Sequence, residues 1–127
     1  MNAKTSLLIS TGCFFLLGFF VLVTLWLTPD VLSYSDNELA MNVAKGWGDV
    51  NAMLFICLAL IWFLSSSLES IDAKKTILIS NFIICVIMLS TAIFHHLVPS
   101  ISGPPPPVFI LLTISGISAF YSWKKGL

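Results

Sequence analysis

The chain has 127 residues, 57% of them hydrophobic and 9% charged, with a mean hydropathy of +0.99. A soluble globular domain is roughly 45–50% apolar and about 25% charged, so the composition excludes a water-soluble enzyme or binding domain. Six lysines, no arginine, six acids and a net charge of zero also exclude nucleic acid as a partner, because that needs a basic footprint. What remains is an integral membrane protein, and the length fits a single domain over 1–127.

A helical span takes about 20 mainly apolar residues to cross a hydrocarbon core of roughly 30 Å. Four stretches meet that requirement: 5–27, 50–68, 76–97 and 107–123. None alternates apolar and polar with a period of two, as a membrane β-barrel would. Helices follow, because lipid offers no water to an open backbone. The expected fold is all-α: an antiparallel bundle of four membrane helices. Lysine placement sets its orientation. With the amino terminus cytoplasmic, Lys4, Lys74, Lys75, Lys124 and Lys125 lie inside and only Lys45 outside, so both termini are expected to be cytoplasmic.

The first span reads as a retained helix rather than a cleaved signal. Its apolar stretch, Leu7 to Leu27, exceeds the usual core of about 7–15 residues, and no A-x-A-like site follows. Ser10, Gly12, Gly18, Gly116 and Ala119 are candidate close-packing points between helices. Trp26 and Trp47 suit the outer boundary, and Tyr121 and Trp123 the inner one. Cys13, Cys57 and Cys85 are spread over three spans without a C-x-x-C pair and read as small apolar packing residues.

The first outer loop opens with Thr28-Pro29-Asp30, where proline ends the first helix. Ser35-Asp36-Asn37-Glu38 is an S-x-x-E capping box, which starts the second helix near Asp36. That helix is expected to run along or above the outer surface and to dip into lipid after Trp47. Gly46 and Gly48 flank the dip and permit a bend or a close contact. The inner loop, 69–75, reads as a short solvated hairpin. In the other outer loop, 99–107, four consecutive prolines predict a polyproline II strut of roughly 12 Å. Pro107 would then pre-set the first turn of the fourth helix.

Chemistry has few places to sit. Glu38, Asn42, Lys45 and Asp49 recur every three or four residues and form one polar stripe on the second helix, with Asn51 on another face. The stripe is either a solvated face or a site. Lys45 and Asp49 are spaced to pair, and ionisable groups near membrane depth are functional candidates. On the third helix, Asn81, Cys85, Met88, Ala92 and His95 recur as the interior stripe of a bundle would, which allows His95 or His96 to meet Asp49 at the outer end. The candidate site is therefore Asn42, Lys45, Asp49, Asn51, His95 and His96 at the outer face. No catalytic motif, no metal-ligand spacing and no cofactor site is read from the sequence.

The first span ends in Pro29, the next segment reads Asn42-Val-Ala-Lys-Gly-Trp-Gly-Asp-Val-Asn51, and Gly103-Pro104-Pro105 follows the third span. This order resembles the small bacterial four-span proteins grouped as domain of unknown function 4345. Trp47 and Gly48 match that family's aromatic and first glycine. Asp49 replaces the second glycine, and Asn42 and Ala44 stand where the family has an acid and an arginine. The resemblance implies a four-helix membrane bundle in a bacterial inner membrane, with no assigned activity. The four-span scaffold family of ergosterol biosynthesis is similar in architecture.

Three functions follow as expectations. The first is a non-enzymatic accessory or scaffold protein that binds a membrane-protein partner or lipid. The second is an oligomeric transporter or channel subunit, with Asn81, Ser80, Ser90 and Thr91 as links of a polar path. The third is a membrane enzyme or redox subunit using Asp49, His95 and His96. Beyond the bilayer itself, the partners in view are another membrane protein or further copies of the chain.

Overall fold

The computed structural model describes residues 1–27, 38–98 and 104–125. Among these residues the chain is all-helical, with four helices and no strand: α1 (Ala3–Leu27), α2 (Glu38–Ser66), α3 (Ile71–Leu97) and α4 (Pro106–Lys125). Each is long and apolar enough to cross a membrane. α1 begins where Asn2 offers its side-chain oxygen to the Thr5 amide at 2.8 Å, which satisfies a first-turn donor.

Neighbouring helices run antiparallel. Gly18 of α1 meets Ala52 and Ile56 of α2. Ser6 of α1 bonds Ser118 of α4, and Gly116 of α4 lies against Cys85 of α3. α1 is central, flanked by α2 and α4; α3 packs mainly on α4, and α2 and α3 barely touch although only 67–70 separates them. The Ser122 hydroxyl donates to the Met1 carbonyl at 3.3 Å, so the start of the chain and the end of α4 lie at one end of the bundle. The α1/α2 seam is aromatic: Phe14 packs against Phe55 and edge-on against Trp62, with centroids 6.1 and 6.3 Å away.

The segment boundaries differ from the hydropathy reading in instructive ways. The hairpin expected at 69–75 shrinks to 67–70, because 71–75 are already helical. The Ser70 hydroxyl accepts from the Ala73 amide at 3.2 Å, while Ser66 and Ser67 bond the Phe63 and Leu64 carbonyls at the end of α2. Ser70 lacks the glutamate three residues on that would complete a capping box, so only Asp72 in the first turn marked the start. Ser70→Ala is expected to cost about 1 kcal/mol. A fall in the unfolding midpoint in mixed detergent micelles, absent for Ser67→Ala, would show it.

The polyproline strut is also corrected. Pro106 and Pro107 form the first turn of α4, whose Val108 amide bonds the Pro105 carbonyl at 3.0 Å. First-turn amides have no intrahelical acceptor, so proline loses nothing there. Residues 99–103 of that outer loop, and the capping residues Ser35 and Asp36, lie outside the described residues. α2 is one continuous helix through Gly46, Trp47 and Gly48. Its 29 residues make a rod of about 44 Å.

The close-packing glycines separate by environment. A Cβ on Gly18 would lie 2.8 Å from the Ala52 carbonyl oxygen, and one on Gly116 would lie 3.1 Å from Cys85 Cβ. Gly48 abuts the Leu25 side chain, whereas Gly12 and Gly46 have open space around them, so Gly12 is not a packing point. Ser10 and Ala119 are buried as expected. Of the cysteines, Cys13 and Cys85 are buried but Cys57 is exposed.

Candidate functional site

Two polar regions stand out, one inside the bundle and one at the end opposite the termini. The inner one centres on Asn81, fully buried on α3. Its side-chain amide donates to Ser10 of α1 at 2.8 Å and to Ser115 of α4 at 3.2 Å. Its oxygen takes a long contact of 3.8 Å from the Cys85 thiol. Towards the termini, Ser6 donates to Ser118 at 3.3 Å, and Ser118 donates back to the Ser115 carbonyl at 3.0 Å. One amide and four hydroxyls thus tie three helices into a polar seam.

The interior stripe expected on α3 is present. Asn81, Cys85 and Ala92 are buried, and Met88 and His95 are half-buried. The polar path drawn along that helix is not continuous. Ser80, Ser90 and Thr91 are exposed, and each returns its hydroxyl to a carbonyl one turn back: Thr76, Val86 and Ile87. Asn81 finds its neighbours on α1 and α4 instead. Ser115, Ser118 and Ser122 sit three and four residues apart, and Ser6 and Ser10 four apart. That helical spacing was the available signal for the seam.

At the other end, Asp49 is half-buried on α2 and accepts a hydrogen bond from the Trp26 indole of α1 at 2.8 Å. Among the described residues no ion pair joins Asp49 to Lys45, which is half-buried one turn earlier. Asn42 and Asn51 are exposed. His96 is exposed and its Nε2 lies 3.1 Å from the Pro104 carbonyl, which fixes the proton on that nitrogen as donor. Its ring packs on Phe109, 5.3 Å between centroids. The bonds of these side chains bring Asp49 to α1 and His96 to the start of α4, and they join neither histidine to Asp49. Among the described residues no three His, Cys, Asp or Glu side chains gather as a metal ion would require.

One buried polar atom has no partner among the described residues: Trp62 Nε1, enclosed by the α1/α2 seam. Leaving a neutral indole donor unpaired is the cost of filling this gap with a large ring.

Fold and polar groups together define a small bundle of four apolar helices held by an internal hydroxyl–amide seam. Compared with known protein families, curated proteins and solved structures, the chain matches none.

Proposed function

We propose that the chain is a multi-pass integral membrane protein. In this reading its four helices span the bilayer, both termini are cytoplasmic, and it serves as a non-enzymatic accessory or scaffold protein binding a membrane-protein partner or lipid. The length and apolar character of the helices support the spanning. Lysines support the orientation: Lys4, Lys124 and Lys125 lie at the end that carries the termini, and Lys74 and Lys75 open α3 there, leaving Lys45 alone near the other. A helical rather than a barrel architecture favours a bacterial inner membrane. Membership of the four-span family named above is part of the same proposal and rests on Trp47-Gly48 and Gly103-Pro104-Pro105.

The observation that carries the accessory reading is where the polar side chains go. Asn81, Asp49 and His96 each bind another element of the same chain, as groups that hold an architecture do. Native mass spectrometry of the tagged protein, extracted gently from its own membrane, tests the reading. The expected spectrum contains a second polypeptide or a retained lipid, diminished for Asp49→Ala and for His95→Ala, with no chemical defect in either variant. A clean homo-oligomer without either would transfer the argument to a transport subunit. A fixed excess mass matching metal or haem would transfer it to an enzyme.

A further inference from the structure

α3 and α4 meet along a seam that turns aromatic towards the end of the bundle where α1 begins and α4 finishes. Phe82 of α3 packs on Phe120 of α4 with centroids 4.9 Å apart, and Phe120 on Trp123 at 5.8 Å. Phe82 is half-buried and both α4 rings are more than a third exposed, so this ladder forms part of the outer surface. A lysine follows on each side of it. Lys124 comes one turn after Phe120 and Lys75 two turns before Phe82, so each stands on the same helix face as its ring. The Phe82–Phe120 contact sets the two helices to a common level; from there Lys75 is about 10 Å along the axis and Lys124 about 6 Å. Both lysines therefore stand at the foot of one aromatic ladder. The charge there does not depend on how the acids pair. Five of the six lysines lie at this end, with Glu69 and Asp72; the other four acids belong to the α1–α2 connection and early α2, which opens at the far end. Five ammoniums against two carboxylates leave three lysines without an acidic side chain, whatever pairs form.

We propose that the α3/α4 seam at this end binds an anionic phospholipid. An acyl chain lies along Phe82, Phe120 and Trp123, and Lys75 and Lys124 hold the phosphate between them. Charge and position are both complementary: apolar rings lead to two ammoniums in the order in which a lipid presents chain and headgroup. A lysine stem extends along apolar surface and delivers its ammonium at headgroup level, where an exposed tryptophan is also at home. Basic pockets between membrane helices on the cytoplasmic side recur as headgroup sites. An anionic lipid is chosen over a zwitterionic one, which would bring a cation of its own into a field that is already positive. Lys125 lies over the Tyr121 ring, 5.1 Å from its centroid, and adds to that field from a neighbouring face of α4. This inference deepens the lipid-binding side of the function proposed above and rests on the membrane reading.

The test uses the purified full chain in detergent micelles with equal mole fractions of dioleoyl phosphatidylglycerol, phosphatidylcholine and phosphatidylethanolamine, read by native mass spectrometry. The wild type is expected to retain phosphatidylglycerol about fivefold or more over either zwitterionic lipid. Lys75→Gln combined with Lys124→Gln should bring the three within about twofold, while Lys75→Arg with Lys124→Arg keeps the preference. Lys4→Gln removes one charge at the same end but on α1, outside the seam, and should leave the preference within about twofold of wild type. Equal retention by the wild type overturns the proposal, as does a preference that survives the double glutamine variant. A loss from Lys4→Gln as large as that from Lys75→Gln alone overturns it too, because diffuse charge would then suffice. Thermal melting of each variant separates lost binding from lost fold. A protein partner found in the native extract would sustain the accessory reading even if this selectivity fails.

Discussion

Replacing Gly18 by leucine is expected to separate α1 from α2 and to give the largest loss of stability of any single small-to-large change in the bundle. A Cβ at this position would lie 2.8 Å from both the Ala52 carbonyl oxygen and Ile56 Cγ1, and 3.4 Å from the Ile56 amide nitrogen. Two of those three atoms are backbone in the middle of α2, so they move only if the whole helix moves. Gly18→Ala already forces that displacement and should cost about 1–3 kcal/mol, the range for inserting a methyl into a packed core. Leucine adds a branched side chain where the helices are in contact, and the Phe14–Phe55–Trp62 cluster next to it opens as well.

Two other glycines make this a controlled experiment. Gly12 is on the same helix with nothing within 4 Å of its Cβ position, so Gly12→Ala should stay within about 0.5 kcal/mol of wild type. Gly48 also abuts α1, but what it meets is the far end of the Leu25 side chain, which can turn away. Gly48→Ala should fall between the two. The unfolding midpoint of each variant in mixed micelles of rising dodecyl sulfate gives the ranking. Equal midpoints for Gly18→Ala and Gly12→Ala would mean that α1 and α2 are not in contact at this crossing.

How these positions differ in legibility has a physical reason. The helices were readable because an apolar stretch of about 20 residues can do little else. Hydropathy did not extend into polar ends, which is why Ser70 and Pro106 moved two of the boundaries. The interior stripe on α3 was readable from the three- and four-residue spacing of Asn81, Cys85 and Ala92. The facing of the hydroxyls was much harder. In a helix a serine can donate to the carbonyl of the residue one turn back, as Ser80 and Ser90 do to Thr76 and Val86, so it is satisfied on an apolar outside as well as within. When both faces of a helix are apolar, composition does not mark the inward one. The partner of Asp49 was out of reach for another reason. Lys45 is one turn away and Trp26 is 23 residues away, so local spacing favoured the lysine, and the crossing of α1 and α2 decided for the indole. Gly12 and Gly18 looked alike in sequence, and only the direction of α2 separates them.

Asn81 carries the other large effect, and the size of it depends on what replaces the amide. Its two N–H groups reach Ser10 and Ser115 on two different helices, so one residue links α1, α3 and α4. Interhelical hydrogen bonds within membranes average about 0.6 kcal/mol each and reach about 1.7. Asn81→Ala should therefore cost about 1–2 kcal/mol, with the vacated space lined by hydroxyls that can hold a water. Asn81→Leu should cost more, about 3 kcal/mol, because a bulkier side chain that cannot donate is pressed against the Ser10 and Ser115 oxygens and excludes that water. A residue facing lipid would behave in the opposite way, since leucine there is more favourable than asparagine. Stabilisation by Asn81→Leu would thus contradict the buried seam. The coupling is specific as well. In double-mutant cycles, Asn81→Ala should interact with Ser10→Ala and with Ser115→Ala, by about 0.5 kcal/mol or more, and be additive with Ser90→Ala, whose hydroxyl bonds only its own helix.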